Sequence, residues 1–239
     1  MERRICVLGF NTLYNVEMKT NEPTLQELLE KFKELDVCCV SDAMDKLGVP
    51  CGLEGIKAIV PGKTICGAAF TVHYVPCGIE KGTVGDFLDD VQPGQVVVID
   101  NAGRTYCTVW GGIMSKYAEK LGIEGTIIDG VCRDVPIIKE TNYKIFTKGH
   151  YMVTGKDRVE IDAVNVPISI SGVQIKPDDI ILGDDTGVVA IPKEIAQKVL
   201  SIASEISEKE SKIEEYTKQG ATLSNAREKF NYHTLQTKS

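Results

Sequence analysis

Two short stretches carry groups that act together on small anions. Trp110-Gly111-Gly112-Ile113-Met114 opens a helix on glycine, and Arg133-Asp134 follows Gly112 after twenty intervening residues. A helix start offers backbone N–H groups with no intrahelical acceptor, at the positive end of the helix dipole. A guanidinium keeps its charge and forks to match a carboxylate. A carboxylate supplies a hard oxygen of the kind that Mg²⁺ and Mn²⁺ take. Brought within reach of one ligand, the three would seat a carboxylate and a divalent metal together.

The intervening residues parse as a strand-helix-strand unit. Gln95 to Asp100 is a β-branched apolar run between Pro93-Gly94 and Asn101-Ala102-Gly103, which predicts a buried strand. From Gly112 to Leu121, the residues Ile113, Tyr117, Ala118 and Leu121 share a helical face, and Gly122 supplies the stop. Gly125 to Gly130 reads as a second buried strand, which a right-handed crossover makes parallel to the first. Ligands of such sheets bind beyond the carboxyl ends of the strands, where the 102–112 loop and residues 131–134 begin. Structural roles compete at several positions. Asp134, ahead of Val135-Pro136, could cap a helix. Gly111-Gly112 could be a tight turn, and Asp184-Asp185-Thr186-Gly187 reads as a hairpin turn before a ligand set. Asp42 could be first-turn decoration of a helix opened by Ser41, and Arg104 and Tyr106 are read as loop residues.

The rest of the chain is a scaffold for this unit. At 239 residues, 43% hydrophobic, it can bury a substantial core, and a net charge of −7 without a basic block argues against nucleic acid as a partner. The apolar run Ile5 to Phe10 is too short for a signal segment and no stretch is long enough for a membrane span, so a soluble, cytoplasmic protein is expected. Eight cysteines (6, 38, 39, 51, 66, 77, 107 and 132) show no metal-ligand spacing and read as reduced core thiols. Thr24 to Leu35 predicts an amphipathic helix capped by Thr24, and Ser41 to Gly48 a shorter one. Strands are expected at 55–60, 65–75, 144–148, 151–154, 158–161, 166–170, 180–183 and 187–191. Pro192 should then start a long helix through Ile206 toward Tyr216. A single domain is expected over 1–239, with its core at about 41–220, an N-terminal helical extension over 1–40 and a polar tail over 221–239.

The ordered blocks Val91-x-Pro93-Gly94, Val96 to Asp100, Trp110-Gly111-Gly112, Ile127-Ile128-Asp129-Gly130-x-x-Arg133-Asp134 and Pro177-x-Asp179 through Gly183-Asp184-Asp185-x-Gly187 to Pro192 resemble the RraA-like superfamily. That group includes metal-dependent 4-hydroxy-4-methyl-2-oxoglutarate/4-carboxy-4-hydroxy-2-oxoadipate aldolases and the regulator of ribonuclease activity A. The resemblance implies an α/β class, with an α/β/β/α swivelling-type fold, a homotrimer or hexamer, and an active site between subunits. Within the family, aldolases carry Gly-x20-Arg-Asp-x2-Asp/Glu. Here Gly112, Arg133 and Asp134 fit, and Ile137 departs at the final acidic position. The Lys209-Glu210 pair resembles a family position from which a glutamate is donated across the interface.

An aldolase of this type would cleave a 4-hydroxy-2-oxo acid to pyruvate and a carbonyl product, with Mg²⁺ or Mn²⁺ neutralising the pyruvate enolate. Asp134 would ligate the metal. Arg133 would hold substrate oxygens, and the N–H groups of Gly112, Ile113 and Met114, following Gly111, would complete the anion seat. Oxaloacetate decarboxylation passes through the same enolate. His73, His150 and His233 sit in no motif, so a metal-bound water steered by Glu210 or Asp42 is the more economical base. The rival readings are a non-catalytic ribonuclease-binding regulator and, last, a methyltransferase, for which no G-x-G nucleotide loop follows a strand.

Overall fold

The structure, a computed structural model, describes residues 23–232. Cys6, the apolar run at 5–10, His233 and the rest of the tail beyond 232 lie outside the described residues. The helices are α1 (Leu25–Phe32), α2 (Val37–Leu47), α3 (Gly112–Leu121), α4 (Val135–Glu140), α5 (Ala196–Lys218) and α6 (Leu223–Lys229). The strands are β1 (Lys57–Ala58), β2 (Ile65–Pro76), β3 (Val96–Thr108), β4 (Gly125–Cys132), β5 (Ile145–His150), β6 (Val159–Val164), β7 (Ile168–Ile170), β8 (Val173–Ile175), β9 (Ile180–Gly183) and β10 (Val188–Ile191).

Eight strands form one sheet in the order β1-β5-β4-β3-β2-β9-β10, with β6 also on β2. The pairs β2–β3, β3–β4 and β4–β5 are parallel, as the crossover through α3 requires. The long β2 joins the two halves, pairing with β3 along one edge and with β9 and then β6 along the other. Alternation decides the layers, because successive strand residues face opposite sides. Val97 and Ile99 pack with Trp110 and Ala118 on the side of α3 and α4. Val96 and Val98 pack instead with the β7–β8 hairpin (Ile168, Ile170, Val173, Ile175) and with Ile181 and Val188 of β9 and β10. The far faces of β9 and β10, Ile180, Leu182, Val189 and Ile191, bury against α1, α2 and α5. The result is the expected α/β/β/α stack, with a core on each side of both sheet layers.

Several boundaries differ from expectation for local reasons. α1 starts as expected: the Glu27 N–H donates to the Thr24 hydroxyl at 3.3 Å and the Thr24 N–H donates to Glu27 Oε2 at 2.7 Å. α2 opens at Val37, not at Ser41, because Asp36 caps it by accepting the Cys39 N–H at 2.8 Å and Val37, Cys39, Val40, Ala43 and Met44 form its buried stripe. Asp42 therefore stands mid-helix. The 55–60 strand shrinks to Lys57–Ala58, and of 151–154 only Thr154 pairs, as a bridge to Thr108. β3 runs on to Thr108, so Arg104 and Tyr106 are strand residues; the positive φ values of Ala102 (49°) and Gly103 (66°) absorb the irregularity. Pro192 leads into a short 3₁₀ turn before α5, and β8 and α6 have no counterpart in the sequence reading. No helix among the described residues is long and apolar enough to cross a membrane.

Candidate active site

Two turns meet at the carboxyl ends of β3 and β4. Val109, Trp110 and Gly111 lead from β3 into α3, and Arg133 and Asp134 lead from β4 into α4. The Arg133 N–H donates to the Trp110 carbonyl at 3.0 Å, which ties the turns together. Asp134 sits at the N-cap position of α4 with φ 62° and ψ 37°, a left-handed conformation that a non-glycine residue adopts at a cost. Its side chain does not cap its own helix. Asp134 Oδ2 instead accepts the Gly112 N–H at 2.9 Å, capping α3, and lies 3.5 Å from Arg133 Nε. One carboxylate oxygen thus gathers a helix start and a guanidinium.

The glycines are there for space. Gly111 has φ −154°, extended backbone open to any residue, but a Cβ on it would lie 2.8 Å from Asp134 Oδ2 and 3.3 Å from Arg133 Cγ and Nε. A Cβ on Gly112 would meet Ile137 Cγ2 at 2.8 Å. Ile137, at the position where the resembling aldolases carry an acid, is thus an apolar contact beneath the start of α3. Since the Gly112 N–H is given to Asp134, the Ile113 and Met114 N–H groups are those of the α3 start left for an outside anion.

Trp110 makes a rigid floor. Its Nε1–H donates to Ser115 Oγ at 2.9 Å, the Ser115 hydroxyl donates to the Gly111 carbonyl at 3.0 Å, and the indole stacks on Tyr143 at 5.8 Å and 5°. Burial pushes the Tyr143 hydroxyl far above the usual tyrosine range, and it pairs with the Thr126 hydroxyl. Above this floor is a cavity of about 250 Å³ lined by Val84, Thr108, Trp110, Met114, Arg133 and Asp134, among others. The Arg133 and Asp134 side chains are 40% and 35% exposed, so both remain accessible to a ligand.

The donor set fits a sparsely held cation. Asp134 Oδ1 accepts no hydrogen bond among the described residues, which leaves one hard oxygen beside a cavity that admits solvent. Among those residues no three His, Cys, Asp or Glu side chains converge into a cage. A divalent ion here would take one protein carboxylate, with water and substrate filling its other positions, as Mg²⁺ commonly does.

Gly111, Gly112, Ile113, Met114, Arg133 and Asp134 are brought together; Glu210 is not. It stands on α5 against α2, where the Cys39 thiol donates to Glu210 Oε2 at 3.3 Å. Asp42 lines a separate cavity with Cys38, Ser41 and Thr186. His73 Nδ1 pairs with Asp100 at 3.1 Å, and His150 ends β5. The Asp184–Gly187 segment is the β9–β10 turn, and its carboxylates accept the Val37 and Gly62 N–H groups. Five described cysteines are buried, but Cys38 is exposed and Cys77 half-buried, so the core reading does not hold for those two. Val84, Thr108 and Thr154 line the cavity without a motif to announce them; the one sequence signal is Gly155, where a Cβ would meet the Thr108 carbonyl at 2.4 Å.

Fold and site together define a layered α/β protein that presents a carboxylate, a guanidinium and a helix start at the carboxyl ends of parallel strands. The RraA-like family described as Aldolase/RraA matches residues 37–190, and the chain belongs to it. It is 39% identical to "Protein DlpA" of Legionella pneumophila over 213 residues, 87% of this chain, and spans about a third (34%) of that relative's length. It is 34% identical over 177 residues to a Halalkalibacterium halodurans protein named "Putative 4-hydroxy-4-methyl-2-oxoglutarate aldolase", covering 74% of this chain and 82% of that one. A crystal structure of an uncharacterized protein from Pseudomonas syringae pv. tomato superposes with a TM-score of 0.82 at 39% identity, covering 87% of this chain and 96% of that one.

Proposed function

We propose that the chain is a divalent-metal-dependent aldolase that cleaves a 4-hydroxy-2-oxo acid to pyruvate and a carbonyl product, with oxaloacetate decarboxylation as a side activity. The observation that carries this reading is Asp134, held in a left-handed conformation with one oxygen committed to Gly112 and Arg133 and the other without a protein donor. Backbone strain at an accessible carboxylate is what a binding site maintains and a plain helix cap does not need. The names of relatives at 28–34% identity support the same class.

In the reaction the C3–C4 bond breaks, the C4 hydroxyl loses its proton, and the electron pair left on C3 is protonated to give pyruvate. A bound divalent cation, held by Asp134, supplies Lewis-acid neutralisation of charge growing on the 2-oxo oxygen. Arg133, whose terminal guanidinium N–H groups donate to no described residue, holds the substrate carboxylate or the developing oxyanion. The Ile113 and Met114 N–H groups offer further donors, fixed by the helix and needing no rearrangement as charge develops. Trp110, locked by Ser115 and Tyr143, holds the floor so that these donors converge. Glu210 joins the site only from a second copy, so self-association as a homotrimer or hexamer belongs to the proposal.

The test is pyruvate release from 4-hydroxy-2-oxo acids and from oxaloacetate, with Mg²⁺ or Mn²⁺ and with chelator. Metal-dependent release that falls by orders of magnitude in Arg133→Ala is expected. A chain that releases pyruvate from none of them, and that captures a ribonuclease tightly, belongs with the regulators instead.

A further inference from the structure

We propose that Ser115 is a positioning residue for Asp134, acting through the single peptide that joins Gly111 to Gly112. The proposal rests on the aldolase reading above, because it assigns the residue that aims the carboxylate offered there to the metal.

That peptide is the weak point of the site. A Cβ on Gly111 or Gly112 would crowd Asp134 or Ile137, so the close approach of the two turns calls for glycine on both sides of the peptide. Two adjacent glycines also restrict a peptide plane least, since neither carries a Cβ to limit its rotation. Yet Asp134 Oδ2 depends on that plane, because it accepts the Gly112 N–H at 2.9 Å. A loose peptide here would leave the carboxylate free to turn.

Ser115 supplies the missing stiffness. The peptide is trans and planar, so the Gly111 carbonyl and the Gly112 N–H point in opposite directions and move as one body. Ser115 holds the carbonyl end twice, with its backbone N–H at 3.0 Å and its hydroxyl at 3.0 Å. The backbone bond is that of any helix start, and a serine hydroxyl bonded four residues back is common in helices. What sets this one apart is Trp110. Indole Nε1–H is a donor only and reaches Ser115 Oγ at 2.9 Å, so the hydroxyl accepts there and keeps its own hydrogen for the Gly111 carbonyl. Ser115 is fully buried and Trp110 almost so, which keeps water from competing for either bond. The indole is itself held by its stack on Tyr143. The relay thus runs from Trp110 through Ser115 and one rigid peptide to Asp134 Oδ2, and leaves Oδ1 as the oxygen without a protein donor. All of its bonds lie within one chain, so they do not depend on what closes the cavity from outside.

The experiment titrates the full chain with Mn²⁺ alone and counts the free ion by electron paramagnetic resonance, so that neither substrate nor turnover enters. The unaltered chain and Asp134→Asn first establish that binding depends on Asp134. In Ser115→Ala, which keeps a good helix former and removes only the hydroxyl, the dissociation constant for Mn²⁺ should rise about tenfold. Ser115→Thr restores a hydroxyl able to bond four residues back, and should stay within about twofold of the unaltered chain. Should Ser115→Ala not fold, Ser115→Cys puts a weak donor in the same place and is expected to show the same rise. A folded Ser115→Ala chain that binds Mn²⁺ as tightly as the unaltered chain overturns the positioning role and leaves the aldolase reading standing. Equal weakening in a folded Ser115→Thr chain does the same, since the hydroxyl would then not be the cause. Binding that is absent from the unaltered chain, or that survives Asp134→Asn, overturns the metal assignment, and the proposal with it.

Discussion

Gly111→Ala places one methyl group against both side chains on which the site depends. The backbone accepts it, since φ is −154°, so any effect comes from contact. The new carbon would lie 2.8 Å from Asp134 Oδ2 and 3.3 Å from Arg133 Nε and Cγ. An ordinary carbon–oxygen contact needs roughly half an ångström more, so the carboxylate must retreat. Retreat stretches the 2.9 Å bond from the Gly112 N–H toward about 3.4 Å, where little of it survives, and leaves the first N–H of α3 poorly satisfied. Overpacking of this type costs about 1–3 kcal/mol, and at about 2–4 °C per kcal/mol for a chain of this size the melting temperature should fall by roughly 2–12 °C. A misplacement of about half an ångström in the metal-binding carboxylate should lower kcat/KM for pyruvate release by about 10- to 100-fold. Thermal unfolding and coupled pyruvate detection on the same preparation read both quantities. Unchanged activity in a folded Gly111→Ala chain would show that the contact between Gly111 and Asp134 plays no part in the chemistry, and the argument from Asp134 would fail.

Asp134→Asn keeps the hydrogen-bond acceptor and tolerates the left-handed backbone, so stability should change by less than about 1 kcal/mol while metal-dependent pyruvate release falls at least about 100-fold; urea melts and metal titration separate the two. Lys148→Met strands the buried Asp129 carboxylate, 2.6 Å from the Lys148 ammonium, and should cost about 3–5 kcal/mol in a denaturant titration, most of it recovered by adding Asp129→Asn. Burial pushes the Asp179 carboxyl up despite its two bonds from the Lys176 and Lys193 N–H groups, so its contribution is fully present in acid and is lost as pH rises through the raised value. The stability of the unaltered chain relative to Asp179→Asn should therefore decline as pH rises above about 4, the ordinary carboxylate value, and a flat difference would refute it. In native thiol labelling near pH 8, Cys38 should react first among the described cysteines, because it is exposed while burial pushes Cys66 and Cys132 up to about 12.

What the sequence alone determined is local. The β-branched runs at 96–100 and 125–130, the glycine that ends α3 and the Thr24 cap of α1 are read correctly because strand alternation, helix period and cap chemistry act within a few residues. The parallel crossover follows from handedness alone, and with it the meeting of Gly112 with Arg133 and Asp134. The start of α2 was misplaced because Ser41 and Asp36 are both able to cap, and the choice between them depends on which residues α5 and the outer sheet layer bury. Tertiary structure decided which helix Asp134 caps. In sequence it precedes α4, yet its carboxylate serves α3, because the two turns approach so closely that a Cβ at Gly111 or Gly112 would crowd the side chains of Asp134 or Ile137. It also decided that Ile137 is an apolar contact under α3 and that Val84, Thr108 and Thr154 form the far wall of the cavity, since those neighbours come from segments that no periodicity or motif connects.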